Sequence, residues 1–154
     1  MGMDLVGFEP TNDVGAYFRR NICRWHPLAS LVQEIAPDIA ELCDSWYTND
    51  GCGLGTDEAI KLADLLDQAI ATGMVSEWIK GLLAWQADLP DEECVACHGD
   101  VGNKPSGNGA ASNACLVCKG RGHYRPSAAL VVLDVDDVRE FSTFVRASGG
   151  FAIW

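Results

Sequence analysis

The chain has 154 residues, of which 48% are hydrophobic and 21% are charged, and its formal net charge is −11. This length and composition are typical of one globular domain and exclude a wholly disordered chain. The acidic balance argues against direct binding to nucleic acid or to an anionic membrane. No apolar run approaches the roughly 20 residues that cross a bilayer, and the first residues do not resemble a signal peptide.

The seven cysteines are an odd number in a chain with no recognisable export signal. This combination favours a reducing compartment, so we expect a cytoplasmic protein whose cysteines bind metal rather than form a disulfide framework. The charge is unevenly distributed, with −12 over residues 1–93, +3 over residues 94–125 and −2 over residues 126–154. An acidic body therefore surrounds a mildly basic insert.

Apolar residues recur at helical spacing through most of the acidic body, which predicts a mainly α fold. Asn12 or Asp13 is predicted to cap a first helix. The apolar stripe of that helix consists of Val14, Tyr17, Phe18, Ile22 and Trp25. Pro27 suits the first turn of a second helix, and Pro37 interrupts that helix before a further turn.

Helix signals continue to the end of the body. Residues 48–55 contain three glycines, which predicts a turn-rich loop. Thr56 begins a helix for which Gly73 is the C-cap, and Ser76 begins the last helix of the body. Polar residues 89–93 then break the helical pattern, and we place the boundary of the insert there.

The C-terminal residues are predicted to return to the body. Residues 129–133 are rich in valine and leucine and predict a short strand, and Asp134 begins a helix that ends at Gly149. The sequence thus predicts three regions: an acidic helical body at 1–92, an insert at 93–125, and a strand and helix at 126–154 that pack back on the body.

One motif carries most of the functional information. Residues 94–97 (CVAC) and 115–118 (CLVC) are CxxC pairs separated by 17 residues. Four thiolates on two tight turns form the tetrahedral donor set that Zn²⁺ prefers. A glycine follows each pair by two residues and lets backbone N–H groups point at the sulfurs. The spacing predicts one structural Zn²⁺ with four ligands, Cys94, Cys97, Cys115 and Cys118.

These cysteine pairs resemble a known repeat. Residues 115–122 (CLVCKGRG) resemble a complete CxxCxGxG repeat of the DnaJ cysteine-rich region, and residues 94–101 (CVACHGDV) resemble the same repeat with valine in place of the last glycine. The likeness covers about residues 93–123 and implies a small β-hairpin zinc ribbon. DnaJ chaperones use this region in handling unfolded clients. Residues 26–28 (HPL) lack the acid of the J-domain motif, so we do not interpret the chain as a co-chaperone.

The flanks resemble a second group of proteins. Residues 17–28, 49–54 and 141–154 are similar to segments of small proteins from phages and their bacterial hosts. This resemblance implies a phage or mobile-element origin and carries no activity over to the chain.

Other polar residues have plainer interpretations. His98 and His123 flank the cysteine pairs and could replace a ligand, but four thiolates already close a tetrahedral site, so we expect surface histidines. Cys23 and His26 could pair as nucleophile and base, but no acid orients them, so we expect a packing role.

The remaining cysteines and acids are also interpreted structurally. Cys43 and Cys52 are expected to be a buried small hydrophobe and a loop thiol. Four acids could bind Mg²⁺ or Ca²⁺, but their spacing matches no calcium loop, so we expect them to favour a helix start. These acids are Asp134, Asp136, Asp137 and Glu140.

Three functional hypotheses follow. The first is a non-enzymatic zinc-binding protein that acts by binding another protein. The second is an acidic inhibitor that mimics DNA and occupies the nucleic-acid site of a host defence complex, as an anti-CRISPR protein would. The third is a thiol oxidoreductase that uses the CxxC pairs. No nucleophile, base and acid combine into a catalytic set, so the first hypothesis is preferred.

Overall fold

A computed structural model describes residues 2–100 and 115–154. The chain divides into two compact units, one formed by residues 1–83 with 131–154 and the other by residues 84–130. The described residues form helices and two antiparallel sheets, so the fold is mixed α/β and the predicted mainly α class is only partly correct. Each helix in these ranges is too short or too polar to cross a membrane.

Six helices and six strands form the described part of the chain. The helices are α1 (Asp13–Ala16), α2 (Ile22–Ile35), α3 (Pro37–Ala40), α4 (Thr56–Ala71), α5 (Met74–Asp88) and α6 (Val135–Ala147). The strands are β1 (Gly2–Gly7), β2 (Tyr17–Asn21), β3 (Gly53–Leu54), β4 (Glu92–Glu93), β5 (His123–Tyr124) and β6 (Phe151–Ile153). The larger sheet has the order β2-β1-β6-β3, and β4 pairs with β5 in a separate sheet.

The prediction of one helix across residues 13–25 is wrong in its middle, where β2 interrupts the helical pattern. Phe18 is buried and lies opposite Leu5 of β1, whereas its neighbour Tyr17 is exposed. An adjacent aromatic pair fits a helix stripe or a strand equally well, and pairing with β1 decides between them. Helix α2 then begins at Ile22, where the side chain of Asn21 accepts the N–H of Arg24 at 3.0 Å.

The predicted strand at residues 129–133 is also wrong. A 3₁₀ turn spans Ser127–Leu130, and the strand of this region is instead β6, beyond the glycines that end α6. Strand β6 lies between β1 and β3 and pairs antiparallel with each of them. Any side chain at Gly53 would overlap the carbonyl of Phe151, so the close pairing of β3 with β6 requires glycine there.

Helix α6 packs on the inner face of the larger sheet through aromatic rings. The ring of Phe141 lies 5.4 Å from that of Phe18 and 5.7 Å from that of Trp25, and the ring of Phe144 lies 5.7 Å from that of Phe151. Phe141, Phe144 and Phe151 are fully buried. Offset and edge-on contacts of this kind add to the free energy gained from burial.

The predicted starts of two helices, α4 and α6, are confirmed. Helix α4 begins at Thr56, as predicted, and Gly73 adopts a left-handed conformation (φ +79°) after its last turn. Helix α6 begins after Asp134, whose side chain accepts the N–H of Asp137 at 2.8 Å, while the side chain of Asp137 accepts the N–H of Asp134 at 3.2 Å. This reciprocal arrangement is a capping box, so the acids at the start of α6 are structural.

The first turn of α6 also holds two arginines. The Asp137 carboxylate lies 3.0 Å from Nε of Arg20 and 2.5 Å from a terminal nitrogen of Arg24, and it is only 5% exposed. Glu140, which is 64% exposed, also pairs with Arg20. One buried carboxylate therefore joins α6 to β2 and α2.

Replacing Asp137 by Asn should destabilise the first unit more than replacing Glu140 by Gln. The first change removes the charge of a buried carboxylate that two arginines share, while each arginine keeps an exposed partner, so we expect a cost of about 1–3 kcal/mol, whereas an exposed pair contributes about 0–1 kcal/mol. Urea unfolding of the two variants measures the difference. Equal losses of unfolding free energy would contradict the central role of Asp137.

The capping box predicts a pH dependence of stability. The Asp137 N–H and the Arg24 guanidinium lower the pKa of Asp134, against a smaller opposing effect of burial. A lowered folded-state pKa stabilises the fold above the unfolded-state value of about 3.9 and loses that contribution as the pH falls through the folded-state pKa. Asp134→Asn keeps a capping side chain, so its deficit in unfolding free energy should be present near neutral pH and vanish in acid. A pH-independent deficit would be inconsistent with this linkage.

Candidate metal centre

The second unit is organised around the pairing of β4 with β5. Glu93 lies opposite His123, and the N–H of Cys94 donates to the carbonyl of Gly122 at 2.9 Å. The start of the first CxxC turn is thereby held against the end of the second. Arg125, directly after β5, donates to the carbonyl of Leu89 at 2.7 Å, beyond the end of α5.

The two CxxC turns repeat the same backbone conformation. In each, the residue after the second cysteine and the glycine that follows it are left-handed, a conformation that is rare for residues other than glycine. The four φ angles are +48° at His98, +71° at Gly99, +55° at Lys119 and +81° at Gly120.

Equivalent hydrogen bonds close the two turns. The N–H of Asp100 donates to the carbonyl of Cys97 at 2.8 Å, and the N–H of Arg121 donates to the carbonyl of Cys118 at 3.2 Å. The two sequence repeats thus form two copies of one local structure, each with two thiols on one side.

The turns bring all four predicted ligands together, with the sulfur atoms within 4.8 Å of one another. The Sγ atoms of Cys94 and Cys115 are 3.7 Å apart, and those of Cys97 and Cys118 are also 3.7 Å apart. Four sulfurs at the Zn–S distance of about 2.3 Å form a tetrahedron with edges of about 3.8 Å. The cluster is therefore close enough to hold a metal ion, and its dimensions and donor type are compatible with zinc.

The close packing of the four thiols gives two of them very different pKa values. Burial and the neighbouring thiols raise the pKa of Cys97 to about 12. Burial also opposes ionisation of Cys118, but the N–H of Gly122, 3.2 Å from its sulfur, and the other thiols lower the pKa of Cys118 to about 6. One thiolate is thus favoured inside a cluster of thiols, and a metal ion would replace the remaining protons.

The Gly122 N–H is a site contact that the sequence analysis did not identify. We expected N–H groups near Gly99 and Gly120 to face the sulfurs, and the observed donor to Cys118 lies two residues beyond Gly120. The last glycine of CxxCxGxG is the signal that marks it. The equivalent position in the first repeat, Val101, lies outside the described residues.

The two flanking histidines lie outside the cysteine cluster. His98 is exposed with Nδ1 3.9 Å from a carboxylate oxygen of Glu93, and His123 is exposed with Nε2 3.4 Å from a carboxylate oxygen of Asp91. Both are surface residues that face acids. Across residues 2–100 and 115–154, the four cysteines are the one cluster of metal-ligating side chains.

Cys43 is buried, as predicted, but the interpretation of Cys52 as a loop thiol is wrong. Their sulfurs are bonded in a disulfide, with the Cα atoms 5.6 Å apart. The bond closes the segment that carries Trp46, a fully buried residue whose indole N–H donates to the carbonyl of Ala40 at 3.0 Å. The odd number of cysteines said nothing about this local pair, because the fold brings the ends of the segment together.

Cys23 and His26 lie in different surroundings. Cys23 is exposed, whereas Nε2 of His26 is buried and has no hydrogen-bond partner among the described residues. The ring of His26 packs edge-on against Tyr47, with centroids 5.4 Å apart. His26 therefore has the packing role that the sequence analysis favoured.

Comparison with family models, with curated proteins and with solved structures finds no match to this chain. The candidate site is accordingly interpreted from its own geometry.

A spectroscopic titration tests the donor set. Added Co²⁺ should bind at one equivalent per chain and give the visible and thiolate charge-transfer bands of a tetrahedral tetrathiolate site. Cys94→Ser should lose these bands, whereas Cys23→Ser, which alters a free cysteine outside the cluster, should keep them. An unchanged spectrum in Cys94→Ser would contradict the assignment.

Proposed function

We propose that this protein is a non-enzymatic binding module in which one structural Zn²⁺ shapes a small ribbon that contacts another protein. Cys94, Cys97, Cys115 and Cys118 hold the ion in this proposal. Two sulfur–sulfur distances of 3.7 Å, each between one CxxC turn and the other, support it. They match the edge length of a tetrahedral site with four thiolate ligands. Four protein ligands leave no open coordination position for a substrate, so the metal has a structural role.

Folding of the second unit is a further argument for the metal. Among its described residues, the buried hydrophobic side chains are Cys94 and Cys118 themselves, apart from Pro126. The free energy gained from apolar burial in so small a core cannot offset the conformational entropy that the chain loses when it is ordered. Metal coordination supplies folding free energy to small domains of this kind. The DnaJ-like zinc ribbon over about residues 93–125 is therefore part of the proposal.

The observation that carries the proposed protein contact is the exposure of the CxxC turns. Leu116 is 94% exposed, Val95 is 69% exposed and Val117 is 58% exposed. Each lies between the two cysteines of a CxxC motif, so the turn that positions the sulfurs also keeps these side chains exposed to solvent. Removal of apolar surface from water yields about 25 cal/mol per Å², and a partner that covers the turns would gain it.

An acidic inhibitor of a nucleic-acid-binding complex is a second candidate. Residues 1–93 carry a net charge of −12, as a mimic of nucleic acid would require. The two candidates differ in salt dependence, because contacts between opposite charges weaken as ionic strength rises and apolar contacts do not. The flanks that resemble phage proteins fit either candidate.

The first experiment is metal analysis of the untagged protein with free thiols counted before and after chelation. One zinc per chain and four thiols released by chelation are expected, since thiolates bound to zinc react slowly. Metal-free protein with oxidised CxxC pairs, or rapid thiol–disulfide exchange by the zinc-loaded protein, would instead favour an oxidoreductase.

The second experiment captures binding partners from the native host at graded salt. Leu116→Asp should lose a partner that survives moderate salt, and Leu83→Asp, which places the same charge at another exposed leucine, should retain it. Loss of the partner with rising salt, with no effect of Leu116→Asp, would favour the acidic inhibitor.

A further inference from the structure

An open groove runs along the first unit between α4 on one side and α2 with α3 on the other. It consists of two cavities with volumes of about 420 Å³ and 330 Å³. Ile35 and Leu65 line both cavities, so the two are adjacent. The larger cavity extends to α3 and the smaller one to Met74 at the start of α5.

The floor of the groove is apolar. Ile35, Ile39 and Leu65 pack against the core of the first unit on one side and remain partly exposed to the groove on the other. Ala36 lines the larger cavity and Ala69 the smaller one, and their short side chains leave space there. The groove thus offers two adjacent apolar depressions, an arrangement that accepts two large side chains from one face of a helix.

The rim of the groove is acidic. Glu34, Asp38 and Asp64 carry negative charge around the two cavities, with Lys61 as the basic residue in their lining. The Glu34 carboxylate accepts the indole N–H of Trp78 at 2.6 Å, and the Asp64 carboxylate pairs with Arg146 at 2.8 Å. The first contact holds Glu34 in place beside the apolar floor, whereas Arg146 offsets the charge of Asp64, so Glu34 and Asp38 are the acids that remain to attract a cationic partner.

This combination of shape and charge selects one class of occupant. An apolar floor with an acidic rim is complementary to a helix that has apolar residues on one face and lysine or arginine beside them. A second copy of this chain is a poor occupant, because its net charge of −11 would face an acidic rim.

We propose that the groove binds a basic amphipathic helix of a partner protein, with one large apolar side chain in each depression and cationic side chains over Glu34 and Asp38. This site goes beyond the function proposed above, because it lies in the first unit and uses neither the cysteine centre nor its metal.

The test uses the full chain and a labelled synthetic peptide. The peptide is an amphipathic helix of about 18 residues with leucines at i, i+4 and i+7 and lysines on the remaining faces. Fluorescence anisotropy should give saturable binding, and the methyl signals of Ile35, Ile39 and Leu65 should shift on titration. A peptide of the same composition with the leucines scattered should bind at least about tenfold more weakly, because its charge is unchanged and its apolar face is lost.

Two pairs of variants locate the binding site. Leu65→Lys should weaken binding at least about tenfold, and Leu83→Lys, at an exposed leucine outside the groove, should leave it within about twofold. Asp38→Lys and Asp13→Lys reverse an exposed charge in the first turn of a short helix, α3 and α1 respectively. Both variants change the net charge of the protein by the same amount, so only Asp38→Lys should weaken binding further than this change in net charge does. Because Asp38 is exposed, this test remains valid even if lysine at position 65 disturbs the fold.

Three results would overturn the proposal. The first is equal binding of the scattered peptide, which would indicate non-specific attraction to an acidic protein. The second is equal effects of the groove and control variants. The third is a dimer in sedimentation that Leu65→Lys dissociates, because a second copy would then occupy the groove. Chelated protein should bind the peptide as before, so failure of the metal centre would leave this result intact.

Discussion

The pairing of β6 with β1 is the interaction on which the first unit depends. The N–H of Asp4 donates to the carbonyl of Trp154 at 2.9 Å, and the N–H of Trp154 donates to the carbonyl of Asp4 at 2.7 Å. Strand β6 also pairs with β3, so removal of β6 would separate β3 from the rest of the sheet. The first unit therefore needs residues 131–154, which follow the second unit in the sequence, to complete its sheet.

The two units are stabilised by different physical interactions. The first has a core of interlocked aromatic rings around Phe141 and Phe144, with the buried carboxylate of Asp137 at one end of the helix that carries them. Among its described residues the second has almost no apolar core, and the buried side chains there include two of the proposed metal ligands. Hydrophobic burial accounts for the first, whereas metal coordination is the natural source of stability for the second.

The exposed features of the two units are also of different kinds. On the second, fixed turns expose Val95, Leu116 and Val117, and on the first a recessed apolar groove has an acidic rim. Each unit therefore carries one exposed apolar feature of its own. The groove and the turns make different demands on a partner, since the groove needs cationic neighbours around an apolar helix face and the turns need an apolar surface alone.

Short-range signals in the sequence were enough for several features. The spacing of the cysteines identified the four thiols that the structure brings together, because a CxxC turn places its sulfurs through local backbone conformation. Helix α4 and helix α6 followed from residues at their first turns, since helix capping acts over three or four positions. In each case the interacting groups are close in sequence.

Contacts between distant residues settled the rest. Residues 17–21 form a strand because β1 offers backbone partners, although their side chains suit a helix as well. Cys43 and Cys52 pair because the fold closes the segment between them, and β6 forms because β1 and β3 leave a place for it. The groove likewise exists only after α2, α3 and α4 have packed together. Backbone pairing and surface shape depend on which segments meet, and no periodicity within a single segment contains that information.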